Sequence, residues 1–337
     1  MQAYKLSVIN MKKLISAFMA LLIFSISIVT MLGSTEPKKS GFIKYVEFNV
    51  TKEALLQAID YDIQSYKEDI HINFIICLSY LGAKYGGDFK RYKASDMSNL
   101  VEKLKSGESI DSITKNMKYY SYYKEAYTAA LNGMIGNYEK EIPDKNGNIT
   151  TQKDYGLCWF SPIAKTFPYS SFDDFGTLRT YGYSRPHLGH DMMSAVGTPV
   201  IAVESGVVEC MGWNQYGGWR IGIRSNDKQR YWYYAHLRQN RPFAENLKEG
   251  DIVTAGDVIG YVGRTGYSST ENTNGITESH LHIGLELIFD ESQKECDNEI
   301  WISLTAITDV LEKNKSAVLR NSKTKEFTRQ YKFSILE

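Results

Sequence analysis

Proline is scarce in this chain of 337 residues, and neither sign of charge is in excess. Seven prolines argue against long proline-rich disordered segments. Lysine plus arginine and aspartate plus glutamate both number 39, so the formal net charge is zero. That balance argues against nucleic-acid binding driven by a strongly basic surface, and we expect no nucleic-acid partner. The length allows two domains, each with its own buried core.

Cysteine is also rare, and the four cysteines lie far apart, at Cys77, Cys158, Cys210 and Cys296. None belongs to a C-x-x-C pair, so neither a thiolate metal site nor a redox motif is indicated. In an exported chain four cysteines allow three complete disulfide pairings, between which the sequence does not choose. The wide and irregular spacing favours buried free thiols.

One long apolar run stands near the N-terminus, at residues 14–32, directly after Lys12 and Lys13. Its 19 uncharged residues would span roughly 28 Å as a helix, about the thickness of a bilayer core. The two lysines favour a cytoplasmic start, with everything after Ser34 outside the cell. We expect residues 1–35 to be a cytoplasmic tip and single-pass anchor in the cell membrane. A cleaved signal, which would make the protein secreted, is the alternative.

The remaining chain changes character along its length, and the pattern predicts an α+β fold. Residues 40–145 show helical spacing, with Thr51 as an N-cap, and predict an all-α domain of unknown role. A polar, Gly- and Asn-rich stretch makes residues 146–180 a predicted linker, and its start is equally typical of a hairpin turn. Short β-branched and aromatic runs predict an antiparallel β domain over residues 181–310. Residues 311–337 are a predicted polar tail with little structure.

Five of the six histidines fall in the second half of the chain, in three short segments. His187 and Asp191 lie in HLGHD, His236 in YAHL, and His280 and His282 in HLH. In an extended chain His280 and His282 share one face, as do His187 and Asp191. Three of these four groups can bind zinc, and the fourth, with His236, would flank an open coordination position. The sixth histidine, His71, begins an apolar helix without other ligands and is interpreted as structural.

Four segments carry a resemblance to a known family: RPHLGHDMMSAVGTPVIAVESGVVE, YWYYAHL, LKEGDIVTAGDVIGYVGRTG and SHLHIGLEL. Together they resemble the lysostaphin-type, LytM-like zinc metallopeptidase domain, over roughly residues 181–290. The resemblance implies an antiparallel β groove with zinc at its floor, which cuts peptide bonds in peptidoglycan peptides.

The resemblance also implies roles for single residues. His187, Asp191 and His282 match the three zinc ligands of the family. His236 and His280 match its two catalytic histidines, which orient or deprotonate the attacking water and stabilise the oxyanion. The sequence does not decide which of the two does which. Zinc lowers the pKa of a bound water to as little as ~7, so the attack needs no acyl-enzyme.

The chain departs from the family pattern at two places. The family has glutamate two residues after the last histidine, where this chain has Gly284. Glu286 lies two residues further on the same face, so the outer-shell role of that glutamate is either moved or lost. The segment before HLH is also longer than usual and predicts an enlarged loop at the groove edge. His190 is expected to face away from the metal. Arg185 is interpreted as a surface ion-pair residue or a ligand for a substrate carboxylate, and Tyr216 as a cleft-lining or a packed aromatic.

Two functional hypotheses remain from different classes. The first is an active zinc metalloendopeptidase that hydrolyses stem or cross-bridge peptides of peptidoglycan outside the membrane. The second is a catalytically silent or latent membrane-anchored scaffold that binds a partner protein in the cell envelope. The complete set of three ligands and two histidines favours the enzyme.

Overall fold

Capped helices form the first part of the fold. The computed structural model describes residues 42–181, 183–294 and 298–336. Five helices come first: α1 (Lys52–Ser65), α2 (Phe74–Tyr85), α3 (Ala94–Lys105), α4 (Ile110–Thr114) and α5 (Tyr120–Leu131). The predicted cap is confirmed, since the Thr51 hydroxyl accepts from the Ala54 N–H. Gly86 ends α2 in the left-handed conformation, with φ at 64°.

The predicted membrane anchor at residues 14–32 lies outside the described residues. Within the described part of the chain, no helix is both long and apolar enough to cross a bilayer.

Within the described residues, seventeen strands follow α5, and one more α-helix, α6 (Thr305–Leu311), and a 3₁₀ turn (Glu291–Gln293) lie among them. The strands are β1 (Ile135–Pro143), β2 (Ile149–Leu157), β3 (Ser170–Ser171), β4 (Leu178–Tyr181), β5 (Tyr183–Pro186), β6 (His190–Met193), β7 (Pro199–Ile201), β8 (Gly206–Asn214), β9 (Gly218–Ser225), β10 (Arg230–Ala235), β11 (Ile252–Val253), β12 (Val258–Tyr261), β13 (His280–Leu287), β14 (Ile300–Trp301), β15 (Val318–Arg320), β16 (Phe327–Arg329) and β17 (Phe333–Ile335).

The secondary structure predicted for residues 135–157 is wrong. The predicted all-α domain extends to residue 145, but α5 ends before Asn132 and Gly133, and β1 and β2 then form an antiparallel hairpin. The turn contains Gly147 in the left-handed conformation, with φ at 84°. The predicted linker therefore begins with a strand, and the hairpin alternative for its start is the one observed.

The prediction of a weakly structured tail is also wrong. The strands β15, β16 and β17 lie within residues 311–337, and β17 pairs with β1. The Phe333 side chain is buried, with its ring against those of Tyr138 and Phe160. The buried aromatic ring and the backbone pairing with β1 together hold the last strand on the sheet.

The predicted antiparallel β domain is confirmed, and its main sheet has the strand order β11-β8-β9-β10-β13-β6-β3, with β14 beside β13. The described residues after 42 pack as one unit, with the helices on the back of this sheet. Trp232 and Tyr234 point from β10 into that core, whereas Tyr231 and Tyr233 line a cleft on the front. The back of the central strand therefore packs in the core, whereas its front forms part of a cleft that is open to a ligand.

A buried ion pair joins the helices to the sheet. The Arg230 guanidinium donates to both Glu204 carboxylate oxygens at 2.9 Å and to the Ala129 carbonyl at the end of α5 at 2.6 Å. The Trp232 indole N–H donates to the same carboxylate at 2.8 Å. Arg230 Nη2 also donates to the exposed Asp227 at 2.7 Å, but Glu204, Ala129 and Trp232 are buried, so this network fixes the orientation of the helical segment on the sheet.

Within the described residues the cysteines form no disulfide, as their spacing predicted. Cys77, Cys158 and Cys210 are free, and the first two are fully buried. Burial raises the pKa of the Cys77 and Cys158 thiols to about 12, so both stay protonated and unreactive. Cys296 lies outside the described residues.

Candidate metal centre

Adjacent strands and one loop bring the three predicted ligands together. Asp191 of β6 lies directly opposite His282 of β13 in the antiparallel register. His187 lies in the short loop between β5 and β6. Because the side chains of β13 alternate, Leu281 and Ile283 enter the core while His280 and His282 face the cleft.

The three potential ligand atoms form a tight triangle. His187 Nε2 lies 3.1 Å from Asp191 Oδ1 and 3.0 Å from His282 Nδ1. His282 Nδ1 lies 2.9 Å from the same Asp191 oxygen. Two atoms bound tetrahedrally to one zinc ion at ~2.0–2.1 Å would lie about 3.3 Å apart, so the donor set and its spacing fit zinc. Each of the three atoms can accept a hydrogen bond, and few protons lie between them. A metal ion at the centre would accept a lone pair from all three.

Gly189 provides the space that the His282 ring occupies. A Cβ atom at residue 189 would lie 2.4 Å from Cε1 and 2.5 Å from Nε2 of His282. It would also lie 2.8 Å from the backbone carbonyl oxygen of Ile283. The glycine of HLGHD is therefore needed for close approach of β6 to the third ligand.

Hydrogen bonds keep the central carboxylate ionised. Burial alone raises the pKa of Asp191, but the hydrogen bonds from His187 and His282 outweigh it and lower the pKa far below its usual value. Burial lowers the pKa of His187, yet Asp191 and Asp174 together raise it above the ordinary value. The site thus holds an anionic oxygen beside two imidazoles. A divalent cation bound there would displace the proton of His187, because a ligating imidazole must be neutral.

Two further residues support the first ligand, and sequence reasoning missed both. Asp174 Oδ1 lies 3.1 Å from His187 Nδ1, the ring nitrogen that faces away from the triangle. The Arg179 guanidinium donates to Asp174 and lies 3.2 Å from Asp191 Oδ2, so it links the two carboxylates. The contact between Asp174 and His187 is an ion-pair distance without hydrogen-bond geometry, and a carboxylate at this position behind a ligating histidine raises its basicity. A backbone hydrogen bond also holds this loop in place: the His187 N–H donates to the Thr177 carbonyl at 2.8 Å.

The other two histidines have their outer nitrogens fixed by backbone carbonyls. His236 Nδ1 lies 2.9 Å from the Thr265 carbonyl oxygen, and His280 Nδ1 lies 2.9 Å from that of Glu278. Each Nδ1 therefore carries the proton and donates it, which leaves each Nε2 with a lone pair. His280 Nε2 faces the site, 3.7 Å from Asp191 Oδ1.

His236 reaches the site through an unusual backbone conformation. Regular alternation along β10 would turn its side chain away from the cleft, but its φ is 57°, in the left-handed region. Its ring centroid lies 4.8 Å from that of His280 and 5.6 Å from that of His282. Burial, together with the neighbouring His280 and His282, lowers its pKa well below the ordinary value, so it is neutral and able to accept a proton.

A cleft of about 1030 Å³ opens over these five side chains. Arg185 lines one wall, with its guanidinium stacked 4.6 Å from the Tyr216 ring centroid and 5.4 Å from that of Tyr267. The predicted loop at the groove edge is confirmed, because residues 262–279 form no regular strand or helix, and Tyr267 and Ile276 of this loop line the cleft. Tyr216 also lines the cleft, as one of its two interpretations expected.

Two histidines lie away from the cleft. His190 is buried and alternates with Asp191 on β6, so it faces the other side of the strand, as expected. His71 Nε2 lies 2.8 Å from Asp62 Oδ1, and its ring packs edge-on against Tyr66 and Tyr155. Its role in packing the helices is structural.

Comparison with known proteins agrees with this geometry. The profile described as peptidase family M23 matches residues 185–294, which contain all five histidine and aspartate side chains of the site. The chain carries an M23 domain.

Three relatives illustrate the similarity of this M23 domain. The chain is 44% identical over 166 residues to the L-Ala--D-Glu endopeptidase of Bacillus subtilis (strain 168), which covers 49% of this chain and 47% of that protein. It is 41% identical over 98 residues to lysostaphin of Staphylococcus staphylolyticus, 29% of this chain and 18% of that one. The chain therefore spans half or less of these relatives. A lytM crystal structure from Ruminococcus gnavus ATCC 29149 shares the fold, with 24% identity and a TM-score of 0.53 over 82% of this chain and 92% of that one.

Packing around Gly284 accounts for the glycine at this position, where the family pattern has glutamate. A Cβ atom there would lie 2.7 Å from the Trp301 ring and 3.2 Å from the Leu188 carbonyl oxygen. The indole from β14 thus fills the space that a larger side chain would need. Glu286 makes no hydrogen bond to the site histidines within the described residues, so the outer-shell role expected of the family glutamate is absent rather than moved.

Proposed function

We propose that this protein is a zinc-dependent endopeptidase that hydrolyses peptide bonds in the stem or cross-bridge peptides of peptidoglycan. One observation carries the proposal. A carboxylate and two imidazole nitrogens lie within 3.1 Å of one another on the floor of an open cleft, beside two further imidazoles with free lone pairs. The names of the relatives, an L-Ala--D-Glu endopeptidase and lysostaphin, support peptide hydrolysis.

In this mechanism His187, Asp191 and His282 hold the metal. Zinc bound there would polarise the scissile carbonyl and make water acidic enough to ionise near neutral pH. Because Nε2 of both His236 and His280 carries a lone pair, either histidine can take the proton of the attacking water. The imidazolium formed in this way can return that proton to the leaving amine. The second histidine, once protonated at Nε2, donates to the developing oxyanion.

We further propose that the domain acts outside the cell, anchored in the membrane by residues 14–32 or released if that segment is cleaved. The supporting observation is the uncharged apolar run after Lys12 and Lys13. Peptidoglycan lies on that side of the membrane, so the location and the substrate agree.

The silent or latent scaffold is the second candidate. Latency through the helices would require them to cover the cleft. The residues that line it all come from positions 178–301, and none belongs to α1–α5, within the described chain. The cleft is open in this arrangement, which favours the active enzyme. An envelope protein that binds the same cleft is the partner that the scaffold hypothesis needs.

The test is incubation of the purified protein with peptidoglycan, with and without a zinc chelator, followed by mass spectrometry of the fragments. We expect new peptide ends that appear only without chelator. His280→Ala should remove turnover and leave zinc content nearly unchanged, whereas His282→Ala should remove both. Equal loss of zinc in the two variants would show that their roles are exchanged. Bound zinc without cleavage of any peptide bond would favour the scaffold.

A further inference from the structure

A second group of polar side chains lies at the far end of the cleft, away from the metal. Glu286 is four residues beyond His282 on β13, so it lies on the same face, at a distance of about 13 Å. In the sheet it pairs with Tyr231 of β10 on one side and Trp301 of β14 on the other. All three side chains line the cleft, and none takes part in the proposed mechanism.

The Glu286 carboxyl group is buried without a partner. Only 1% of the residue is exposed, and Oε1 makes no hydrogen bond to any described residue. Burial, reinforced by the negative charge of Glu299, raises its pKa to about 8. Leaving a carboxyl group in this state destabilises the fold, so a missing partner from outside the protein accounts for it best.

Two nearby cations, Arg224 and Lys294, are paired with other carboxylates, although Arg224 Nη1 makes no hydrogen bond within the described residues. The Arg224 guanidinium is paired with Glu291 and lies 3.7 Å from Glu209, and its Nε donates to the Lys228 carbonyl at 2.8 Å. The Lys294 ammonium group is paired with Glu209. Neither cation is hydrogen-bonded to Glu286, although both lie on neighbouring elements.

Two carboxylates at this end of the cleft form no ion pair with a described residue. Around Tyr231, Glu209 and Glu291 are paired with Lys294 and Arg224, and Arg220 is the third basic group, whereas Glu286 and Glu299 have no basic partner within the described chain. Glu299 accepts a hydrogen bond from the Trp301 indole at 2.8 Å and is itself exposed, so its charge is open to the cleft. An incoming cation would therefore meet two acidic groups, one exposed and one buried.

We propose that Glu286 and Glu299 form a subsite for a primary ammonium group of the substrate peptide. The inference rests on the proposed function, because it takes the bound chain to be a peptide that runs along the cleft. An extended peptide advances about 3.3–3.6 Å per residue, so the ammonium group lies roughly four residues from the scissile bond. A side-chain amine or a peptide N-terminus supplies the same chemistry.

The test measures binding rather than cleavage, with chelator present so that no turnover occurs. Soluble peptidoglycan fragments are titrated by calorimetry into the wild-type protein and the Glu286→Gln variant, before and after acetylation of all their amines. We expect the variant to bind native fragments about tenfold more weakly, as for loss of a hydrogen bond to a charged group. Acetylated fragments should bind both proteins equally. Acetylation near neutral pH, where the α-amine with a pKa of about 8 reacts first, separates the two sources of the amine.

Two variants serve as controls. Glu245→Gln removes an exposed carboxylate that is not part of the cleft lining, and it should bind native fragments as the wild type does. Glu299→Gln changes an exposed group and keeps the proposal testable if Glu286→Gln does not fold; it should weaken binding of native fragments only.

Equal effects of Glu286→Gln on native and acetylated fragments, or no effect on either, would overturn the subsite. So would a wild-type protein that binds no native fragment. A protein that binds native fragments through Glu286 but cleaves none without chelator would contradict the proposed function alone.

Discussion

Replacement of Gly189 by alanine should weaken zinc binding without unfolding the protein. The added Cβ would lie 2.4 Å from Cε1 and 2.5 Å from Nε2 of His282, about 1 Å inside ordinary van der Waals contact. It would also lie 2.8 Å from the Ile283 carbonyl oxygen, so the backbone of β13 blocks one direction of relief. The His282 ring must move, and its Nδ1 leaves the triangle with His187 and Asp191.

The expected size follows from the energy of overpacking. Forcing one methyl group into a packed site costs typically about 1–3 kcal/mol. If that cost appears as lost metal affinity, the zinc dissociation constant becomes roughly 5- to 150-fold larger. The fold itself has other support, because β13 pairs along its length with β10 and β6.

The assay is competition for zinc between the protein and a chromophoric chelator, with urea unfolding of the metal-free protein measured in parallel. Gly156→Ala is the matched control, since an added Cβ there meets only ordinary contacts, at 3.7 Å and beyond. It should bind zinc as the wild type does. Unchanged zinc affinity in Gly189→Ala would refute the claim that His282 is a ligand held by this close approach.

Three other perturbations test separate parts of the structure. Asp174→Asn, which removes the carboxylate behind the first ligand, should weaken zinc binding about 10- to 100-fold in the same competition assay, whereas Asp173→Asn at the exposed neighbour should not. Arg230→Met leaves the buried Glu204 carboxylate unpaired and should lower the free energy of unfolding in urea by about 3–5 kcal/mol; a loss below 1 kcal/mol would contradict the role of this pair. Because burial raises the pKa of Glu286 from 4.5 to about 8, folding favours its protonated form, and stability falls as the pH rises through that window. Glu286→Gln should lack this fall, so its urea unfolding curves at pH 5 and 8 should differ less than those of the wild type.

Alternation along strands made much of the site predictable. His280 and His282 had to share a face once the segment was extended, and the register confirms that face with Asp191 opposite. Alternation could not predict that His236 faces the cleft, because the direction of its side chain depends on a left-handed φ at the end of β10. The motif YAHL placed it in the set through the resemblance, and the backbone supplies the physical reason.

Asp174 could not be found from the sequence, because its contact with His187 depends on a separate hairpin. Among the residues that the structure describes, the strands β4 and β5 pair only with each other, and they return the chain so that the two residues meet. Nothing in the short segment around Asp174 distinguishes it from the exposed Asp173. The elements missed at residues 135–157 and 318–335 have a similar cause, since their strands are short or polar and are stabilised by pairing across long separations in the chain.

The site therefore joins two parts of the fold that the backbone alone connects weakly. Asp191 and His282 belong to the main sheet, where ladder hydrogen bonds fix both strands. His187 follows the hairpin of β4 and β5, which has no strand pairing to that sheet within the described residues. Arg179 of the hairpin contacts Asp191 as well, so a small number of charged contacts position this wall of the cleft. A metal ion bound by all three ligands would add the strongest of these links, because it connects the hairpin directly to the sheet. Metal binding and the shape of the substrate cleft are then coupled through the same loop.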